Sequence, residues 1–358
     1  MFVDVHLTNR CNLQCRYCYF KEKGEKKSNL ELIQKTLEYF LNPESREKTF
    51  FTFIGGEPTL EFELIVNAVR LGKKIARKNR RKIFFNLVTN GVNLNGERIS
   101  FLKENNFYIV LSFDGKKITQ DYQRTFPDGS SCFHLVESTL EKLIGQNLTF
   151  SVRMTVMPYT AKNLFENVKN FFQKKVSLLG IVPTYEDKWS DDDLDVFKEN
   201  FRKVIKMWAE NFNQFPEFCI LPFIRYLKTW KDNDFFFHPY MHYCQVGGVT
   251  RYSVSVEGDI YPCHRFTSIR DKKFKLGNIL KGGINLNLQK CFNKKVAEVK
   301  KEIDISGCFA LNYDVNKTIE KPLRNYQRFK DIFLQLIMEI YQNPLYKNFL
   351  NRINLFPY

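Results

Sequence analysis

The chain opens on the run "FVDVHL" at residues 2–7, whose apolar alternation predicts a strand. The period then changes to helical. In "SNLELIQKTLEYFL" (28–41) Ile33, Leu37 and Phe40 fall on one face, and Ser28 with Glu31 predicts a capping box at its start. "KTFFTFI" (48–54) has the continuous apolar character of a buried strand and ends at Gly55-Gly56. Residues 60–78 read as a helix, "KIFFNLVTN" (82–90) as a strand, and residues 95–105 as a helix. "FYIVLSF" (107–113), "LTFSVRMTV" (148–156) and "VSLLGIV" (176–182) are further strands, separated by helices at 133–145 and 160–173.

Strands alternating with helices imply parallel βαβ units with right-handed crossovers. An α/β fold follows, and the pattern alone suits a barrel of six units or a doubly wound sheet equally. After residue 183 the rhythm changes. Ser190 caps a predicted helix over 191–214, and a second helical segment covers 219–232. "VTRYSVSVEGDIYPC" reads as a β-hairpin turning at Glu257-Gly258-Asp259, and 323–351 as a helical tail with Phe329, Phe333, Ile337, Ile340 and Tyr341 apolar. The expected organisation is 1–185, a helical bridging region 186–240, and a smaller α+β domain 241–358 with C-terminal helices.

Hydrophobic content of 44 % and charged content of 26 % over 358 residues describe an ordinary globular chain. No apolar run is long enough for a transmembrane helix, and "MFVDVHLTNRCN" lacks the basic and apolar regions of a signal peptide, so a cytoplasmic location is expected. The net charge of +16 is scattered among acids, which argues against a nucleic-acid face; it suits either a lysine-rich background or an acidic partner. Nine cysteines in such a chain point to metal or catalysis rather than disulfides.

The cysteines gather at the two ends. Cys11, Cys15 and Cys18 lie in "CNLQCRYC", directly after the first strand. Closed structural zinc sites and ordinary four-iron clusters take four protein ligands. Three thiols without an evident fourth leave one metal position open, where chemistry can start. C-x₃-C-x-aromatic-C after the first strand resembles the radical S-adenosylmethionine (SAM) superfamily. The resemblance implies a partial (β/α)6 barrel, and a 4Fe–4S cluster on these three thiols. Its remaining iron would bind SAM, and SAM would be cleaved to a 5′-deoxyadenosyl radical. It also implies that Tyr17 packs on the cluster and adenine side, and that "GGEP" (Gly55, Gly56, Glu57, Pro58) meets the SAM amino group. At strand ends, Ser112 with Arg124 would then hold the SAM carboxylate, a Ser or Asn such as Asn90 would contact its ribose, and Asp114 is a candidate catalytic group. Read alone, GGEP is a turn before a helix, and the others are strand-end polar groups or a surface arginine.

Cys244 and Cys263 flank the hairpin, and "CQVGGVTRYSVSVEGDIYPCHRF…FKLGNI" resembles the SPASM and twitch extensions of radical SAM enzymes, which bind auxiliary iron–sulfur clusters. The dense cysteine run of a full SPASM domain is missing, so one auxiliary cluster is expected. Cys244, Cys263 and Cys308 are its implied ligands, with Cys291 either a fourth ligand or a buried helix cysteine. Zinc or unpaired core cysteines are the alternatives. Cys132 and Cys219 read as structural.

Enzymes of this build act on peptides or proteins, so the resemblance implies a ribosomally made precursor peptide as substrate and a flavodoxin or ferredoxin as electron donor. The expected reaction is a thioether or carbon–carbon crosslink. The alternatives are a sulfatase-type maturase making formylglycine, a small-molecule enzyme, and a non-enzymatic iron–sulfur or zinc regulator. His264 follows Cys263 where the comparison with sulfatase maturases implies an acidic base; it is a candidate catalytic group, or a satisfied hairpin-end histidine. The barrel starts at the beginning of the chain, so leader binding is expected from a separate protein or from the barrel surface.

Overall fold

The computed structural model describes residues 1–21, 23–221, 223–224, 227, 246, 250–302 and 307–353. Cys244 lies outside them. The chain packs as two compact units, each assembled from segments distant in sequence. Unit 1 comprises Met1–Ser112, Arg124–Phe150 and Gln245–Glu302; unit 2 comprises Phe113–Gln123, Ser151–Cys244 and Ile303–Tyr358.

Unit 1 is built on four parallel strands, Phe2–His6, Lys48–Ile54, Lys82–Thr89 and Tyr108–Ser112, paired in that order. The hairpin predicted near the C-terminus is present as Arg251–Val254 and Asp259–Tyr261, turning through Gly258 at φ 83°. It is not a separate small sheet. Arg251–Val254 pairs in parallel with Phe2–His6, Ser253 opposite Asp4, and so covers what would otherwise be an open edge of the first strand.

The two faces of this sheet differ because side chains alternate along a strand. One face carries Val3, Val5, Phe51, Phe53, Phe85, Leu87, Ile109 and Leu111, all buried. Burying each such side chain stabilises the fold by roughly 1.5–3 kcal/mol. Helix Phe62–Lys78 packs on it at Gly72, where an added Cβ would lie 3.1 Å from Ile83 and Phe85. The other face is aromatic at one end and polar in the middle. Phe2, Phe50 and Phe84 stack at centroid spacings of 4.9 and 5.0 Å, with the Arg251 guanidinium 5.2 Å from the Phe2 ring. Beyond them Ser253, Asp4, Thr52, Asn86 and Tyr108 stand opposite one another across five strands.

In unit 2 the strand Phe150–Val156, from Ser151 on, pairs in parallel with Leu178–Pro183, and that strand with Cys219–Leu221. Helices Asp191–Glu210 and Arg324–Gln342 interlock through Phe197 on Phe329 (4.9 Å) and Phe201 on Phe333 (5.3 Å). Ser190 caps the first of these in a capping box with Asp193, as its sequence predicts.

Two local expectations are corrected. Helix Leu30–Phe40 is capped by Asn29, whose side chain accepts from Leu32 N–H at 2.8 Å, and not by Ser28. Ser28 is buried and donates its hydroxyl to the His6 carbonyl at 2.8 Å, so a tertiary partner outcompetes the local one. The stretch from 219 begins as a strand, Cys219–Leu221, rather than a helix, because the backbone of Leu178–Gly180 offers it a parallel ladder.

Candidate active site at the cysteine loop

The backbone leaving the first strand runs directly into the cysteine loop, and Gly55-Gly56 is laid against it. Gly56 N–H donates to Thr8 O and Glu57 N–H to Arg10 O, both at 2.8 Å. A Cβ on Gly55 would come within 2.4 Å of Thr8 O, and one on Gly56 within 2.0 Å of Arg10 O. Only glycine permits this approach.

Glu57 is 1 % exposed. Its Oε1 accepts from Thr59 N–H (3.0 Å), Thr59 hydroxyl (2.6 Å) and Thr89 hydroxyl (2.7 Å), and its Oε2 accepts from Asn90 N–H (2.7 Å). Burial pushes its carboxyl above the usual range, against these donors. The carboxylate that the sequence offers to an ammonium is thus engaged by the protein, clamping the Gly55–Pro58 turn to the end of Lys82–Thr89. Pro58 starts the short turn Pro58–Glu61, and Glu57 caps it. Asn90 donates from its side chain to Asn12 Oδ1 at 2.8 Å, tying the third strand's end to the cysteine loop.

Cys11, Cys15 and Cys18 are half-buried. Cys15 stands opposite Arg124 in a short antiparallel pair, Gln14–Cys15 with Arg124–Thr125. The Arg124 guanidinium reaches to 3.9 Å from Cys15 Sγ and lies 5.0 Å from the centroid of Tyr17. Buried Cys132 supports it, donating its thiol to Arg124 O at 3.4 Å. Burial pushes the Cys11 thiol up to about 12, eased by a hydrogen bond from Leu13 N–H. A metal bound there would take the thiolate form against that burial. Among the described residues, no three His, Cys, Asp or Glu side chains already converge as a metal site. The donor set still suits an iron–sulfur cluster: three soft thiols, all half-buried, on one short loop.

The C-terminal end of unit 1 meets this loop. Helix His264–Ile269 begins directly after buried Cys263, and Ser268 donates its hydroxyl to Tyr19 O at 2.9 Å. His264 Nδ1 is 3.2 Å from Asp4 Oδ2, and its ring centroid is 5.8 Å from that of Tyr19. Burial lowers the His264 basicity, opposed by the Asp4 hydrogen bond. Burial also disfavours ionised Asp4, yet His264 and then Arg251 hold its carboxyl below the usual range. Asp4, His6, Asn12 and Ser253 were not singled out by the sequence reading. Asp4 and His6 had left a signal: two polar residues on one face of an otherwise apolar strand.

The remaining candidates lie on other elements. Ser112 ends the strand Tyr108–Ser112 and is half-buried. Asp114 belongs to unit 2, where it is buried and accepts from Thr155 N–H at 2.9 Å. Cys308, also in unit 2, is buried at the start of helix Phe309–Asn316. Cys291 is exposed on helix Leu286–Glu302 and is not the buried helix cysteine of the alternative reading.

Comparison with known proteins follows the same outline. Residues 5–172 match the family model described as Radical SAM superfamily. The chain is 27 % identical over 290 residues to a cysteine-type anaerobic sulfatase-maturating enzyme of Clostridium perfringens, covering 75 % of this chain and 74 % of that one. It is 25 % identical over 296 residues to a serine-type anaerobic sulfatase-maturating enzyme of Bacteroides thetaiotaomicron, covering 75 % and 69 %. Its fold is similar to native anSMEcpe with bound AdoMet, with a TM-score of 0.77 at 23 % identity over 96 % of this chain and 99 % of that one. SuiB of Streptococcus suis is similar at a TM-score of 0.63 and 13 % identity, over 91 % and 76 %. The radical SAM family binds a 4Fe–4S cluster and SAM, and the anSMEcpe structure holds AdoMet. Among the described residues no helix is long and apolar enough to cross a membrane. The α/β architecture, the cysteine loop and the match over residues 5–172 together identify a radical SAM domain in this chain, which is similar along most of its length to the anaerobic sulfatase-maturating enzymes.

Proposed function

We propose that the chain is a maturase that oxidises a Cys or Ser side chain within a protein or peptide substrate. The observation that carries this reading is the similarity to a cysteine-type anaerobic sulfatase-maturating enzyme over three quarters of both chains. Crosslinking, the first expectation from the sequence, becomes the second reading. It is favoured by His264, which stands where the resemblance to sulfatase maturases implies an acid.

In this reading Cys11, Cys15 and Cys18 hold the cluster. When bound, the cluster supplies the electron that cleaves SAM, and the resulting radical removes one hydrogen atom from the substrate. Gly55 and Gly56 let that turn lie against the backbone before Cys11, where the SAM amino group would be met, while Glu57 and Asn90 fix the turn against the loop. Arg124 binds the SAM carboxylate; its guanidinium is suited to a two-point contact. His264 turns Nδ1 to Asp4, so Nε2 is the nitrogen that takes the substrate proton. Loss of a hydrogen atom, a proton and an electron converts Ser to an aldehyde. Cys becomes a thioaldehyde, which water converts to the aldehyde with release of hydrogen sulfide. Cys244, Cys263, Cys308 and Cys291 are the candidate ligands of an auxiliary iron–sulfur cluster, which would supply the acceptor for that electron. An acidic flavodoxin or ferredoxin delivers the priming electron.

The test is a mass spectrum. The reconstituted enzyme is incubated without oxygen with SAM, a reductant and a synthetic peptide containing one cysteine, or its serine counterpart. The expected product has lost two hydrogens, with sulfur also replaced by oxygen in the cysteine case. Loss of two hydrogens with retained sulfur, and fragments joining two residues, would instead establish the crosslink. Unchanged peptides alongside deoxyadenosine formation would overturn both.

A further inference from the structure

An open cavity of about 340 Å³ stands at the tip of the hairpin in unit 1, lined by Glu257, Asp259, Tyr261, Arg270, Lys272 and Lys275. Its place follows from strand register. Arg251–Val254 runs parallel to Phe2–His6 with Val254 opposite Val5. The turn after Val254 therefore leaves the sheet at the same end as the chain that enters the cysteine loop. Lys26 joins the two: its ammonium reaches Glu257 at 3.1 Å, and its carbonyl accepts from Asn9 N–H at 2.8 Å.

Both carboxylates of the cavity are already engaged. Glu257 Oε1 accepts from Lys26 (3.1 Å) and Arg270 (3.0 Å), and its Oε2 accepts from Arg270 (2.8 Å) and the Ser255 hydroxyl (3.1 Å). Asp259 Oδ1 accepts from Lys275 and from the Asn278 side chain, each at 2.6 Å. Three cations thus stand against two carboxylates before Lys272 is counted. Lys272 is exposed and has no ion pair among the described residues.

Tyr261 adds a donor to the wall. It is 3 % exposed, and its hydroxyl makes no hydrogen bond among the described residues. Burial, and then Asp259, push its acidity to about 12, so the hydroxyl keeps its proton. A buried hydroxyl without a partner carries a desolvation cost that an acceptor on a ligand removes. A hydroxyl donor and an unmatched ammonium, beside carboxylates that are already neutralised, suit an acceptor with negative charge. An ammonium ligand would find no open carboxylate there.

We propose that this cavity binds a carboxylate of the substrate peptide, an Asp or Glu side chain away from the residue to be modified, through the Tyr261 hydroxyl and the Lys272 ammonium. This rests on the maturase reading above and adds a specificity for acidic peptides. The cavity stands at the sheet end that carries the cysteine loop, the end at which α/β folds place their ligands.

The experiment measures binding separately from turnover. The SAM-loaded, cluster-reconstituted enzyme is titrated without oxygen with fluorescent peptides that contain one cysteine and one Glu. The Glu is stepped from position to position on either side of the cysteine, and each peptide is paired with its Gln counterpart. The expected result is about tenfold tighter binding of the Glu peptide at a limited set of positions. Tyr261→Phe and Lys272→Gln each remove most of that preference and leave the Gln peptides bound as before. The Tyr261 hydroxyl has no partner in the fold, so its removal tests the site without breaking an internal bond. A Glu preference at no position, or one that survives in either variant, overturns the site. Free glutamate that displaces the Glu peptide at equal concentration shows a small carboxylate to be the ligand and overturns the peptide assignment. A preference present in the wild type and lost in the variants, with no change in peptide mass on incubation, upholds the cavity and overturns the maturase reading. Loss of two hydrogens from Glu and Gln peptides that bind alike does the reverse.

Discussion

The Arg124 guanidinium lies 3.9 Å from the Cys15 sulfur, and the two residues are paired across a short antiparallel bridge. A cation is thus fixed beside the cysteine loop by backbone pairing, by the Tyr17 ring and by the Cys132 thiol. If it binds the SAM carboxylate, Arg124→Ala weakens SAM binding by roughly tenfold to a hundredfold, the range for a lost charge-assisted hydrogen bond. Equilibrium binding of SAM to the reconstituted protein measures this. Unchanged affinity would assign Arg124 to holding the loop alone.

Gly56 is predicted to be the least replaceable glycine of the site. A Cβ there would lie 2.0 Å from Arg10 O, and the obstacle is backbone, not a flexible side chain. Gly56→Ala must move the chain just before Cys11, at a cost of roughly 1–3 kcal/mol or more. We expect the variant to take up much less iron than the wild type. Gly96→Ala, where nothing lies within 4 Å of the new Cβ, serves as the control. Normal iron in Gly56→Ala would mean that the loop tolerates the shift.

His6 makes stability pH-dependent in a defined direction. Its folded basicity is lowered from 6.5 to about 3, so the unfolded chain takes up a proton that the folded chain refuses. Stability from this group is present above pH 6.5 and is lost as the pH falls from 6.5 toward about 3. His6→Phe removes that contribution to the slope. Urea melts at several pH values across the window compare the two proteins. Parallel curves would show that His6 is protonated or hydrated in the native state.

Removing the first three thiols tests for a second cluster. The variant with Cys11, Cys15 and Cys18 all replaced by Ala, reconstituted without oxygen, should retain about four irons per chain if the C-terminal cysteines hold an auxiliary 4Fe–4S cluster. Iron falling to none would confine cluster binding to the N-terminal loop.

Much of the first unit could be read from the chain. The strands and helices up to residue 183 are set by local periodicity, and the glycines that follow the second strand mark a close approach wherever they are folded. The Ser190–Asp193 cap was equally legible, because its partners lie within one turn. Ser28 was misread for the opposite reason: its partner, the His6 carbonyl, is 22 residues away.

The amino-acid sequence by itself determined the chemistry on offer: three thiols at fixed spacing, a glycine pair at a strand end, and alternating elements that must form a parallel sheet. These depend on short-range spacing, which no packing can alter. Tertiary structure decided which groups meet. The pairing of Arg251–Val254 with Phe2–His6 brings Asp4 to Arg251 and His264 across about 250 residues of chain. Arg124 reaches Cys15 across 109. Contacts of that range follow from strand register and the burial of one sheet face, which are properties of the packed chain and leave little trace in the local pattern.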